Sequence, residues 1–209
     1  MKTMVLILAA VLSAGALNAE KMEKAKVSGN VVILLAHPNF KESQANKALI
    51  DAVKDISGVV ILDLYEKPFD AEAHKKILSE AKAVVFQFPF YWASAPSQLK
   101  KWLDEVFTPL AQTEVVKGKP LMVATTTGSE YEAYRSGGRN QFTMDELLRP
   151  YQLVANHSGM VWQTPHVVYG VAMPTGAESV KEAEPQREKE TTKLECFFSS
   201  DIFIALLKK

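Results

Sequence analysis

Residues with chemistry to offer fall in three stretches of this chain, each at the end of a short apolar run. His37, Ser43 and Asn46 follow VVILLA, Phe90, Tyr91 and Trp92 follow AVVFQFP, and Thr126, Thr127 and Ser129 close or follow LMVATT. In HPNFKESQAN the backbone N–H groups of a helix start, the Ser43 hydroxyl and the Asn46 amide describe a neutral cradle for a phosphate. In PFYWAS three consecutive rings cannot all point into one core. At least one edge or face should border a cavity where a flat ligand stacks. In TTTGSE the hydroxyls and amides form a polar rim, and Gly128 lets a ligand approach the backbone closely. A phosphate anchor, an aromatic wall and a polar rim together suit a phosphorylated planar heterocycle, for which flavin mononucleotide (FMN) is the leading candidate.

Other chemistries find little support. There is no GxGxxG or GxxxxGK[ST] run, which argues against a standard dinucleotide fold or a P-loop NTPase. Paired carboxylates, a nucleophile–base pair and a metal-ligand cluster do not stand out. His37, at the mouth of the first apolar run, is the histidine with a functional position, whereas His74, His157 and His166 are scattered and read as surface or core residues. A chain without acid, base or metal equipment fits a protein whose cofactor carries the hard chemistry.

The elements that must hold these loops follow from periodicity. The apolar runs are short, rich in β-branched residues and lack polar alternation, as strands buried on both faces of a parallel sheet do. Residues 43–55 predict a helix with Ala45, Ala48, Leu49, Ala52 and Val53 on one face, opening at Ser43. VVILDLY (59–65) reads as a strand, AEAHKKILSEAK (71–82) as a helix and AVVFQF (83–88) as a strand. Residues 96–110 read as a helix with Pro96 in its first turn and an apolar stripe of Leu99, Trp102, Leu103, Val106 and Phe107. LMVATT (121–126) is the next strand, then a polar loop over 127–141. Residues 143–159 predict a helix with a Thr143–Glu146 capping box and a kink at Pro150. MVWQTPHVVYGV (160–171) closes the pattern as a strand. This alternation specifies an α/β fold, a doubly wound five-stranded parallel sheet of order 2-1-3-4-5. Such sheets bind ligands beyond the carboxyl ends of their strands, where the three loops lie.

The 209 residues, 47% apolar and 23% charged, suffice for one sizeable core. Lys and Arg together number 24, as do Asp and Glu, so the balance suggests no nucleic-acid partner. The single cysteine, Cys196, excludes an intramolecular disulfide and reads as an incidental thiol. At the other end, Lys2, the apolar stretch Met4–Leu17 and the small-residue sites Ala14-Gly15-Ala16 and Leu17-Asn18-Ala19 describe a secretory signal peptide over 1–19. The stretch is too short for a permanent span, so no membrane anchor is expected after cleavage. Residues 20–29 read as a polar linker and 30–209 as the folded domain, ending in a helix within 176–209. The expected location is periplasmic or secreted, and cytoplasmic if the segment is not a functional signal.

AHPN (36–39) with AN (45–46), FPFYW (88–92) with Pro96, and TTGS (126–129) with Tyr134 resemble the flavodoxin-like NAD(P)H:quinone oxidoreductases. That family includes modulator of drug activity B and the ancillary flavoproteins of glutathione-gated potassium efflux. YRSGGRNQFTMDELLRPYQ (134–152) and Gly159-Met160 are also similar, and the resemblance covers about 30–172. It implies a flavin-dependent homodimer that passes two electrons from the co-substrate NAD(P)H to a quinone or similar small electrophile by alternate occupancy of one site. By this resemblance His37, Ser43, Gln44, Ala45 and Asn46 would hold the flavin phosphate side. Phe90, Tyr91, Trp92 and Ala93 would contact the isoalloxazine edge, and Thr126, Thr127, Gly128 and Ser129 its polar edge. Tyr134 would be the catalytic residue, contacting the hydride acceptor. Ser129 stands where many relatives have a second glycine. Gly138, Arg139 and Asn140 occupy the neighbourhood where some eukaryotic relatives pair the tyrosine with a histidine. FAD is the alternative flavin. A flavodoxin-like electron carrier or regulatory subunit without turnover is the alternative function, although the zero net charge is unlike an acidic shuttle.

Overall fold

The structure, a computed structural model, describes residues 30–66 and 68–171. The expectations for residues 1–19 and 20–29, for the 176–209 tail and for Cys196 lie outside them. Strands β1 (Asn30–Leu35), β2 (Val59–Asp63), β3 (Ala81–Pro89) and β4 (Pro120–Thr126) form a parallel sheet. Its order is β2-β1-β3-β4-β5, the expected one, with β5 at Val161–Trp162. Helices α1 (Ala45–Asp51), α2 (Ala71–Glu80), α3 (Ser97–Trp102), α4 (Thr108–Ala111), α5 (Met144–Leu147) and α6 (Arg149–His157) make the connections.

Alternation along the strands sorts the core into two layers. Val32, Leu34, Val84, Phe86, Phe88, Leu121 and Val123 face one side, where Leu99, Trp102, Val106, Leu148 and Tyr151 pack on them. Val31, Ile33, Leu35, Ala83, Val85, Met122 and Ala124 face the other side, against Leu49, Ile50 and Val53 of the α1 region. Both strand faces are thus dry, which is why these sequences read as unbroken apolar runs. The expected stripe of the 96–110 helix is wholly buried. Trp102 anchors it, lying edge-on to Phe86 at 6.2 Å and donating its indole N–H to His74 Nδ1 of α2 at 3.1 Å.

Four of the departures from the periodicity have a clear local reason. The 71–82 helix stops at Glu80 because Ala81 turns straight into β3 and pairs with Asn30. Strand β2 stops at Asp63, whose carboxylate accepts the Tyr65 N–H at 2.8 Å and turns the chain. The 96–110 helix carries a π-helical insertion, Leu103–Phe107, between α3 and α4. There the Thr108 N–H and hydroxyl both reach the Leu103 carbonyl, just before Pro109, which has no N–H to give. The last strand is two pieces, β5 and β6 (His166–Val168), which pair with opposite ends of β4 on either side of Pro165.

The 143–159 helix follows the expectation closely. Thr143 Oγ1 accepts from the Glu146 N–H at 3.2 Å and Glu146 Oε2 accepts from the Thr143 N–H at 2.8 Å, closing the capping box. The helix breaks at Leu148, and Pro150 sits in the first turn of α6. Among the described residues no helix is long and apolar enough to cross a membrane.

The sheet's dependence on its aromatic filling can be measured. Phe86→Ala, at a fully buried position in β3, should cost about 3–5 kcal/mol and lower the thermal unfolding midpoint by roughly 10 °C.

Candidate functional site

At the carboxyl ends of β1, β3 and β4 the three loops meet and bond to one another. Asn46 Nδ2 donates to Thr126 Oγ1 at 3.0 Å, tying the first loop to the third. His37 lies edge-on to Tyr91 with ring centroids 6.3 Å apart, joining the first to the second. Phe90 meets Tyr134 at 6.3 Å and its N–H donates to the Thr126 carbonyl at 2.8 Å, joining the second to the third. Beneath them Gln87 Nε2 donates to the Asn46 carbonyl at 3.0 Å, and Thr125 Oγ1 donates to the Phe88 carbonyl at 2.7 Å. The only buried polar residues of β3 and β4 are thus spent on holding loops and strand ends together.

The first loop is built around the start of α1. Ser43 Oγ accepts the Asn46 N–H at 3.2 Å, the capping contact expected of it. Gln44 is exposed and Ala45 half-buried at the first turn, whose N–H groups have no acceptor within the helix. His37 is buried, and its Nδ1 accepts the Asn39 N–H at 3.1 Å. That bond leaves the ring proton on Nε2. Burial pushes the imidazole below its ordinary range, outweighing the nearby Asp63 carboxylate, so His37 is a neutral donor.

In the second loop Tyr91 and Ser94 exchange backbone hydrogen bonds, Tyr91 N–H to Ser94 O at 2.9 Å and Ser94 N–H to Tyr91 O at 3.1 Å. Trp92 and Ala93 form the tip at φ +49° and +63°. This is the sign pattern of a type I′ turn, made without the asparagine or glycine that normally relieves it. Two non-glycine residues there cost about 1 kcal/mol or more each. The rings divide as their number required: Phe90 packs on Tyr134, Tyr91 is half exposed and Trp92 is 100% exposed.

The third loop turns Thr126 and Thr127 inward. Thr127 Oγ1 donates to the Ser129 carbonyl at 2.8 Å, and the Thr127 N–H donates to Val168 O in β6 at 2.8 Å. Gly128 and Ser129 are left facing outward, with Arg139 Nη2 donating to Ser129 Oγ at 2.6 Å. Tyr134 is buried at the end of a short 3₁₀ turn, Tyr131–Tyr134. Gly138 folds back beneath that turn, where a Cβ would fall 2.3 Å from the Glu132 carbonyl oxygen. The third strand-end wall has a neighbour that sequence reasoning did not single out. Tyr169, past the end of β6, lies 5.8 Å from Tyr134 and 5.3 Å from Tyr131. Burial first, then the Asp145 carboxylate, pushes its phenol up to about 12, so it stays protonated. Its signal was present, since VVY-Gly repeats the pattern of an apolar run ending at an aromatic residue and a glycine.

The donor set fits a flavin nucleotide. A helix first turn and neutral His37 suit a phosphate, and an exposed strained aromatic turn suits a flat ring. Asn46 Oδ1 and Gln87 Oε1 are buried acceptors with no hydrogen-bond partner among the described residues, as suits a ligand that brings donors. Among the described residues no group of three or more His, Cys, Asp or Glu could hold a metal ion.

Comparison with known proteins agrees with this architecture. The chain belongs to the family described as having a flavodoxin-like fold, whose profile matches residues 29–192 and so runs past the 30–172 span of the motifs. General stress protein 14 of Bacillus subtilis is 37% identical over 149 residues, 68% of this chain and 85% of that protein. An NADPH-quinone reductase from P. pentosaceus superposes with a TM-score of 0.67 at 25% identity, over 80% of this chain and 96% of that one. General stress protein 14 from Treponema denticola, solved in complex with FMN, gives 0.65 at 29% identity, over 80% and 98%.

Two outcomes test the site's construction. Gly138→Ala should cost about 1–3 kcal/mol, since backbone must move to admit the methyl, and loosen the loop carrying Tyr134, read as faster proteolysis there. His37 stays neutral in the fold, so below its ordinary value of 6.5 the unfolded chain binds a proton that the folded chain refuses. Stability should therefore fall as pH drops from 6.5 towards the lowered folded value, and His37→Asn should flatten that slope in denaturant titrations.

Proposed function

We propose that this chain is an FMN-dependent NAD(P)H:quinone oxidoreductase that works as a homodimer by a ping-pong mechanism. The observation that carries this reading is the joining of three strand-end loops into one rim that brings together a helix start, an aromatic turn and an outward-facing loop backbone. The likeness to an NADPH-quinone reductase and to an FMN-bound protein supports the choice of reaction and cofactor. Bound FMN would supply two-electron redox chemistry between a reduced nicotinamide and the quinone. The protein's part is binding, orientation and electrostatics. His37, Ser43, Gln44, Ala45 and Asn46 would hold the phosphate side. Phe90 to Ala93 would flank the ring and exclude water. The outward backbone of Gly128 and Ser129 would meet its polar edge, with Thr126 and Thr127 shaping that backbone from inside. Tyr134 Oη would donate a hydrogen bond to charge developing on the acceptor.

An apolar groove of about 710 Å³ between the α3–α4 and α6 helices, lined by Leu103, Phe107, Ala111, Leu153 and Val154, supports the pairing of two copies beside the site. The apolar N-terminal stretch supports an exported protein, cleaved after residue 16 or 19, and the mature N-terminal sequence would test it.

Purified protein should be yellow, bleach anaerobically with NADH or NADPH, and give parallel double-reciprocal lines with a benzoquinone. Protein that neither contains flavin nor takes up added FMN would sink this reading. Bleaching only by a protein donor would favour an electron carrier. Tyr134→Phe should keep its flavin and lose up to about 10²-fold in kcat.

A further inference from the structure

We propose that Tyr151 is the positioning residue of the aromatic turn: reaching across from α6, its hydroxyl locks Tyr91–Ser94 in the shape that offers Trp92 and Ala93 to the cofactor. This deepens the flavin reading, and rests on it for what the turn faces. A tip with two non-glycine residues at positive φ persists only where its surroundings over-determine it. The turn's own pair of Tyr91–Ser94 bonds closes it but does not attach it to the body of the protein. Trp92, fully exposed, contributes no burial that would anchor it.

Attachment comes from either side. Upstream, the Phe90 N–H is held by the Thr126 carbonyl. Downstream, Tyr151 Oη accepts the Ala95 N–H at 3.0 Å and lies 3.3 Å from Ser94 Oγ, to which its own proton can be given. The phenol is itself immobile. Its ring packs 5.1 Å from Phe88 and 6.4 Å from Phe86, both fully buried, and Tyr151 is 6% exposed. Burial also holds its hydroxyl above the ordinary tyrosine range, so the donor is not lost in mildly alkaline solution. One oxygen therefore fixes the exit of the strained turn to the sheet's aromatic core. The break at Leu148 ahead of Pro150 starts α6 separately, and Tyr151 lies in its first turn.

Tyr151→Phe keeps the ring and removes only that oxygen. In the flavin-free protein, amide exchange at Ala95 and Ser94 should quicken about five- to tenfold, the factor for one buried hydrogen bond, with β3 core amides unchanged. FMN affinity, followed by quenching of flavin fluorescence, should fall by a similar factor. Ser94→Ala keeps the Ala95 bond and should leave Ala95 exchange at its original rate. Unchanged exchange at Ala95 and Ser94 in Tyr151→Phe overturns the clamp. Faster exchange with unaltered FMN affinity overturns the positioning role. If neither protein binds FMN, the flavin reading fails, while faster exchange at Ala95 still upholds the clamp.

Discussion

A sheet covered on both faces has no room for polar side chains along its strands, and the rest of this structure depends on that constraint. In β1 every residue from Val31 to Leu35 is apolar and essentially sealed from water. The helices on either side keep it so, with Leu99 and Trp102 covering one face and Leu49 and Ile50 the other. Polar chemistry is pushed to the strand ends, where the backbone leaves the sheet and side chains can reach solvent or ligand. Gln87, Thr125 and Thr126 are the buried exceptions, all towards the carboxyl ends of β3 and β4, and each makes a hydrogen bond that holds a strand end or loop. The site is thus the place where the sheet's apolar rule is first relaxed.

That relaxation is tightly managed. The Asn46–Thr126 bond, the His37–Tyr91 contact and the Phe90–Tyr134 contact each cross between loops separated widely in sequence. None is worth much alone; a buried hydrogen bond contributes about 1 kcal/mol net. Together they hold the rim against the strain concentrated at Trp92 and Ala93. Placing strain on the aromatic turn while the strands beneath remain regular is what a preorganised binding wall requires. His37 obeys the same logic: burial keeps it neutral, so its Nδ1 accepts the Asn39 N–H of the first loop while its Nε2–H is a donor without charge.

Much of this was legible beforehand because it rests on local rules. Parallel-strand runs show as unbroken apolar stretches, the capping box as a Thr143–Glu146 spacing of three, and the stripe from Leu99 to Phe107 as the 3.6-residue helical period. The placement of the loops at one edge followed from the strands being parallel. Other features were hidden because they depend on who stands opposite. The π-helical insertion at Leu103–Phe107 and the split of the last strand at Pro165 are adjustments of backbone to its neighbours, invisible in a hydrophobic pattern. Thr126 and Thr127 carry hydroxyls that read as ligand donors, yet both are buried in bonds that shape the loop. Tyr169 followed the same pattern as the other loops but lay in the segment with the least regular strand.

By itself the sequence determined the strand–helix alternation, the strands buried on both faces and the three addresses where chemistry could occur, since burial pattern and periodicity are local properties. Only the tertiary structure decided which side chains at those addresses face outward and which hold the rest in place. Ser94, Ala95 and Tyr151 show why: a hydrogen bond between residues far apart in sequence depends on the relative placement of β3 and α6, and no spacing along the chain encodes that.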